Sequence, residues 1–165
     1  MSRIKLIRLQ ENELLLLKEI YDYYILNSTA VFHLHPLSLE ELRESVPVCD
    51  LRYHSFLIKT EVDEVCGFCY ISKFKPKQAF DITVELTIYL KPEFAGKGFG
   101  YEAMQLFEPL IREAGFCNIV GLITGENGPS IHLFEKCGYT CCGNIRQVAE
   151  KFGRRLDLLM YQKLL

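Results

Sequence analysis

Ile88-Tyr89-Leu90-Lys91-Pro92-Glu93-Phe94-Ala95-Gly96-Lys97-Gly98-Phe99-Gly100-Tyr101 runs from a strand through a glycine loop into a helix. Residues 82–90 are rich in β-branched and aromatic side chains and stop before Pro92, which reads as a strand. Residues 100–114 carry apolar side chains at helical spacing. Between them, Gly96, Gly98 and Gly100 let successive backbone N–H groups converge on an anion without interference from Cβ atoms. The helix that begins there adds the partial positive charge of its N-terminus, and Lys97 adds a full charge. Together these features describe a diphosphate cradle, although the same glycines would also serve a plain turn. The G-x-G-x-G spacing is not the G-x-G-x-x-G of a dinucleotide-binding unit. Nor is it a Walker loop, since Lys97 is followed by Gly98 rather than Ser or Thr.

Working outward, residues 4–9 alternate apolar and basic and predict a half-buried strand. Residues 11–26 predict a helix from the spacing of Leu14, Leu17, Ile20, Tyr21, Tyr24 and Ile25. Ser38-Leu39-Glu40-Glu41 is a capping box that opens a short helix, ended by Pro47. Residues 55–60 and 65–72 predict strands joined by a hairpin turn at Asp63-Glu64. Pro109 should bend the helix after the glycine loop, because it deletes one backbone hydrogen bond. Residues 118–124 predict a buried strand, and 130–137 a short helix closed by Gly138. Residues 140–147 and 156–163 predict two last strands, with their turn at 151–155. The order β-α-α-β-β-β-α-β-α-β-β predicts a single domain over 1–165 of α/β (α+β) class. Its sheet is mixed, of about seven strands, with about four helices on its faces.

Composition narrows the function classes. A chain of 165 residues is one domain by length. It can bury roughly 70% of its unfolded surface, so neither disulfide nor metal is needed to fold it. Hydrophobic residues at 49% and charged residues at 24% exclude a disordered or fibrous chain. The longest apolar run, Leu14-Leu15-Leu16-Leu17, is far from the roughly 18 residues of a membrane span. The first residues lack the apolar core of a signal peptide. A cytoplasmic protein without a membrane partner is expected. The net charge of −2 and the pI near 6.1 give no basic field, so no nucleic acid is expected either, while one small anion at a local site is compatible. Seven cysteines point to a reducing compartment and free thiols. Cys66-Gly67-Phe68-Cys69 spells C-x-x-C inside a predicted strand, where positions three apart face opposite ways. With no second such unit, core cysteines are expected rather than a metal site. His33 and His35 have no third ligand in view, so no metal is assigned to them.

One strand after the glycine loop comes Asn127-Gly128-Pro129-Ser130-Ile131-His132-Leu133-Phe134-Glu135-Lys136-Cys137-Gly138-Tyr139. By itself it reads as a capped helix, with Ser130 or Asn127 as N-cap and Leu133 and Phe134 in the core. The two motifs, in this order and strand context, resemble the GNAT acetyltransferase superfamily. Ile20-Tyr21, the 26–32 stretch, Phe74 to Phe80 before Thr83-Val84-Glu85, and Lys151-Phe152-Gly153-Arg154 with Leu156-Asp157 extend the resemblance. They place it in the phosphinothricin acetyltransferase-like branch, over nearly the whole chain. The resemblance implies a mostly antiparallel sheet, acetyl-CoA as cosubstrate without a metal, and a homodimer. It implies that Ala95, Gly96, Lys97, Gly98, Phe99 and Gly100 bind the pyrophosphate. It further implies that backbone groups of Ile88, Tyr89 and Leu90 hold the pantetheine arm, with Asn127, Ser130 and Lys136 beside it. Ala95 departs from the Arg or Gln that opens the family's loop, which removes one cofactor contact. His33, Lys75, Asp81, Ile82 and Arg155 also depart from the branch's pattern, and all lie on the acceptor side.

Acetyl transfer to an amine needs held reactants, a base, oxyanion donors and a departing thiolate. Glu85 is the candidate base. It shares a strand face with Thr87, and a carboxylate in mid-strand is costly unless solvated or used. Partial burial would raise its pKa towards the range of a working base, acting through water as the resemblance implies. A strand glutamate facing solvent or pairing with a lysine is the plainer alternative. Tyr24, Phe32, Phe80 and Thr87 are acceptor-side candidates, and Lys75 suits a carboxylate. Each of them also reads as an ordinary core or surface residue. Phe134 stands where the superfamily often has the Tyr that protonates the leaving thiolate, and His132 is a weak replacement. Cys137 lacks an evident base, so no acyl-enzyme is expected. The reading is N-acetylation of a small primary amine, an amino acid or analogue of the phosphinothricin or methionine sulfone type. A protein N-acetyltransferase and a non-catalytic acyl-CoA-binding module are the alternatives.

Overall fold

The computed structural model describes residues 2–165. The elements are β1 (Ile4–Arg8), α1 (Leu14–Asn27), α2 (Leu39–Ser45), β2 (Ser55–Thr60), β3 (Val65–Lys73), β4 (Thr83–Leu90), α3 (Phe99–Glu113), β5 (Asn118–Thr124), α4 (Gly128–Lys136), β6 (Thr140–Lys151) and β7 (Arg154–Leu164). One seven-stranded sheet has the order β1-β2-β3-β4-β5-β7-β6. Every neighbouring pair is antiparallel except β4 and β5, which run parallel. The crossover between them is α3, as a parallel pair requires.

Strand alternation sorts the core onto the two faces of the sheet. Phe56, Ile58, Cys69, Ile71, Val84 and Leu86 pack with Met104, Phe107 and Ile111 of α3 and Phe134 of α4. Leu57, Phe68, Tyr70 and, at the edge, Tyr89 pack with Leu14, Leu17 and Ile20 of α1 and Leu42 of α2. Each large apolar side chain fully removed from water contributes roughly 1.5–3 kcal/mol, so both layers are needed to hold a chain of this length. The capping box of α2 forms as its spelling predicts. Ser38 accepts from the Glu41 N–H at 3.1 Å, and Glu41 Oε2 accepts from the Ser38 N–H at 2.7 Å.

Two local details differ from the sequence reading. Cys66 and Cys69 do not diverge, because both are buried in the same core layer. A register shift between Ile58 and Lys59 marks a bulge in β3, and one extra residue reverses the alternation. Burial pushes both thiols up, Cys66 to about 11. Next, β6 extends to Lys151 through an irregularity between Ile145 and Ala149, where Gln147 has φ +51°. The turn therefore shrinks to Phe152-Gly153, both with positive φ, as a tight two-residue hairpin demands. Pro109 lies inside α3, as the sequence reading has it, and the helix spans Phe99–Glu113.

Candidate active site

The site begins where the sheet opens. Parallel pairing of β4 and β5 covers only Thr83–Asn118, Val84–Ile119 and Glu85–Val120. The rest of β4, from Leu86 to Leu90, keeps its antiparallel partner β3 but has no neighbour on the β5 side. The Lys91 N–H donates to Cys66 O at 2.8 Å, towards β3. Backbone groups alternate along a strand, so those of Ile88 and Leu90 point the other way, into the gap. The Leu90 carbonyl accepts there from the Tyr24 hydroxyl at 2.5 Å. A cavity of about 980 Å³ runs through this gap. On the α3 and α4 side it is lined by Gly96, Gly98, Gly100, Asn127, Ser130 and Leu133, and on the α1 side by Tyr21, Tyr24, Phe68, Tyr70 and Glu85.

The α3 side of the cavity is a cradle of N–H groups. Gly96 and Gly98 have φ +72° and +87°, a left-handed conformation that side chains resist. Gly98 is the N-cap of α3, and Glu102 is the first residue whose N–H reaches its carbonyl, at 3.1 Å. The N–H groups of Phe99, Gly100 and Tyr101 thus have no partner within the helix. Across the cavity, the Asn127 side chain caps α4 by accepting from the Ser130 N–H at 3.2 Å. Lys136 closes this end, its ammonium 4.7 Å from the Tyr101 ring centre.

Glu85 lies at the vertex of the opening, half-buried, on the face shared by Thr87 and Tyr89. Burial lifts its carboxyl above the usual carboxylate range, and the Lys75 ammonium pulls weakly the other way. Around it stand the hydroxyls of Tyr21, Tyr70 and Tyr89, pushed up by burial and, further, by the Glu85 charge. The wall opposite is the segment after α1. Tyr89 donates to Ala30 O at 3.0 Å, Thr124 to Thr29 O at 2.5 Å, and the buried Lys151 ammonium to Val31 O at 2.8 Å. Thr29 also donates to Glu126 Oε1 at 2.5 Å, and Glu126 is held in turn by Arg154.

Of the residues selected by sequence, Glu85, Thr87, Ile88, Tyr89, Leu90, Ala95, Gly96, Gly98, Gly100, Asn127, Ser130, Lys136, Tyr24 and Phe32 line the one cavity. Lys97 is exposed outside the lining, and Phe99 packs on Phe94 with ring centres 5.6 Å apart. Lys75 and Phe80 also lie outside the lining, each against Phe74. The structure adds Tyr70 and Glu126, which no sequence pattern marked. Tyr70 reads as an ordinary strand aromatic, and Glu126 precedes a motif whose cap drew the attention. His132 and Phe134 both line the cavity, and the Phe134 ring also sits against Gly121, where a Cβ would stand 2.2 Å from the ring edge.

Residues 17–139 match the family model described as Acetyltransferase (GNAT) family. An L-methionine sulfoximine/L-methionine sulfone acetyltransferase from Salmonella typhimurium is 30% identical over 147 residues, covering 87% of this chain and 84% of that protein. A phosphinothricin N-acetyltransferase from Streptomyces viridochromogenes is 29% identical over 145 residues, 88% of this chain and 79% of the relative. Among solved structures, a GNAT superfamily phosphinothricin acetyltransferase from Sinorhizobium meliloti in complex with acetyl-CoA superposes with a TM-score of 0.91. It has 30% identity and covers 99% of this chain and 89% of that one. With its split sheet, its N–H cradle at the head of α3 and a family match over most of its length, this chain belongs to the GNAT acetyltransferase family.

Proposed function

We propose that the protein moves an acetyl group from acetyl-CoA to the primary amine of a small molecule, an amino acid or close analogue, by direct attack in a ternary complex. One observation carries this reading: a single cavity joins the N–H cradle on one face of the sheet to the Glu85 pocket on the other, through the gap between β4 and β5. The residues fit acetyl-CoA. Free N–H groups at the head of α3 suit a diphosphate, and the strand edge at Ile88 and Leu90, which β5 leaves open, suits the amides of a pantetheine arm. When bound, acetyl-CoA supplies an activated carbonyl carbon and a sulfur leaving group.

The protein supplies position and a proton acceptor. Glu85 takes, through water, the proton that the ammonium must lose before attack. The Ile88 N–H, aimed into the gap, serves as oxyanion donor. Phe134 has no proton to give, so the sulfur departs as a thiolate, and the second proton, shed by the nitrogen after attack, passes to solvent, from which the thiolate can be protonated. Among the described residues no cysteine lines the cavity, so no thiol is placed as nucleophile, and burial pushes the Cys137 thiol up to about 11. On the acceptor side, Tyr24, Phe32 and Thr87 line the cavity and would surround the substrate body; Phe80 and Lys75 stand outside the lining, and the Lys75 charge, felt at Glu85, would draw in a carboxylate. Lys75→Ala is expected to raise KM for an amino acid about threefold with kcat little changed, as loss of a longer-range charge attraction should. Because Lys75 also lowers the Glu85 pKa, the acid limb of the pH–rate profile should move to higher pH in that variant.

Free coenzyme A thiol released from acetyl-CoA over an amine panel tests the reading, with a blank for the protein's own thiols. The panel comprises amino acids, methionine sulfone, phosphinothricin, polyamines and short peptides. Turnover on a free amino acid supports it. Turnover on peptides alone moves the acceptor to proteins, and binding of acetyl-CoA without any turnover leaves a binding module. A homodimer working in the cytoplasm completes the proposal, and it invokes neither nucleic acid nor a membrane. The exposed outer strand β6 offers a surface for the second copy, and the free cysteines suit a reducing compartment. Among the described residues no helix is long and apolar enough to cross a membrane.

A further inference from the structure

Arg3, just before β1, reaches across to the outside of the glycine loop. Its Nη2 donates to Lys97 O at 3.0 Å, and its Nε donates to Glu102 Oε1 at 2.6 Å. Its backbone N–H donates to Glu102 Oε2 at 2.9 Å, and the guanidinium lies 4.7 Å over the centre of the Phe99 ring. A Cβ on Gly98 would stand 3.1 Å from Arg3 Nη2, so the guanidinium packs directly on the loop. No other side chain makes a hydrogen bond to the 95–98 loop among the described residues.

Two effects on the cradle follow. In a trans peptide the C=O and N–H point in opposite directions. With the Lys97 carbonyl held outward by Arg3, the Gly98 N–H turns inward, to the side on which Gly98 lines the cavity. In addition, Glu102 stands in the first turn of α3, where a free carboxylate would compete with a bound phosphate for the positive helix end. Arg3 pairs with that carboxylate and cancels its charge. Ala95 brings no charge to the loop, so both tasks fall to a residue more than ninety positions away in sequence.

We propose that Arg3 is the positioning residue of the cofactor site: it turns the 97–98 peptide towards the anion and neutralises Glu102 beside it. This rests on the cradle being the seat of the coenzyme A pyrophosphate. The test is calorimetric titration of coenzyme A into wild type, Arg3→Ala, Arg3→Lys and Arg3→Ala/Glu102→Gln, with steady-state kinetics beside it. Arg3→Ala should weaken coenzyme A binding and raise KM for acetyl-CoA about tenfold, with kcat and the amine KM within about twofold. Arg3→Lys and the double variant should each recover part of the loss. A lysine restores charge but not the forked geometry, and the Glu102→Gln change removes the repulsion but leaves the peptide misaligned. If Arg3→Ala binds coenzyme A like wild type and shows only a lower Tm, Arg3 is a structural staple and the proposal falls. If the wild type binds no coenzyme A, the cofactor reading itself fails, and the proposal with it.

Discussion

Glu85→Gln is expected to lower kcat about a hundredfold or more, with acetyl-CoA affinity unchanged. General-base catalysis supplies typically a factor of 10² to 10⁴, and the amide keeps the shape of the carboxylate while losing its basicity. The pH profile gives the sharper test. A base must be deprotonated to act, so wild-type activity falls as pH drops through the Glu85 pKa, which burial has raised above its ordinary value. That acid limb should vanish in Glu85→Gln. The stability change has the opposite sign. A carboxyl whose folded pKa lies above its unfolded one favours the fold only while protonated, and this contribution is lost as pH rises through the folded pKa. At neutral pH the charged Glu85 therefore opposes folding, and the Gln variant should melt no lower than wild type. A variant that keeps kcat, or that loses activity together with its Tm, would remove Glu85 from the role of base.

Phe134→Ala is expected to cost about 3–5 kcal/mol of stability, the range for truncating a buried aromatic, read as a lower midpoint in denaturant. Phe134 is 3% exposed, and its ring meets Tyr139 edge-on with centres 4.8 Å apart. The cost should sit high in the range because the site collapses poorly: the wall facing the ring is Gly121, which has no side chain to fill the space. The converse change is also costly. Gly121→Val drives a branched side chain into the ring, and overpacking of this kind costs about 1–3 kcal/mol. The two changes should be less harmful together than the sum of each alone, a coupling that a double-mutant cycle measures. Additive losses would mean that the ring and the glycine do not fit one another as the structure has them. The pair matters for function because Gly121 follows Val120, the last β5 residue paired with β4. Phe134 thus seats α4 beside the mouth of the gap.

Period and punctuation carried most of the fold. The β-branched and aromatic residues of 65–72 and 82–90, the capping box at Ser38 and the turn glycine at Gly138 act over a few residues, so their meaning is local and legible. The same holds for the cradle, since Gly96 and Gly98 permit the left-handed backbone that turns the loop into the helix. The bulge in β3 was not legible, because it is a register event between two strands, and it placed Cys66 and Cys69 in one layer. The length of β6 was hidden for a similar reason: its alternation is interrupted by the irregularity around Gln147.

For the site, the sequence by itself determined which chemical groups are available: a mid-strand carboxylate at Glu85, an N–H cradle, a phenylalanine without a proton at 134. Only the tertiary structure decided what these groups face. The end of β4–β5 pairing at Glu85–Val120 opens the cavity, burial around Glu85 raises its pKa, and Arg3 turns the loop from outside. Lys97 and Phe80, chosen for their chemistry, stand outside the lining, while Tyr70 and Glu126 line it. The physical reason is the range of the forces. Propensity, capping and turn geometry are set by near neighbours in the chain. Desolvation and hydrogen bonding depend on whichever distant segments packing brings within a few ångströms.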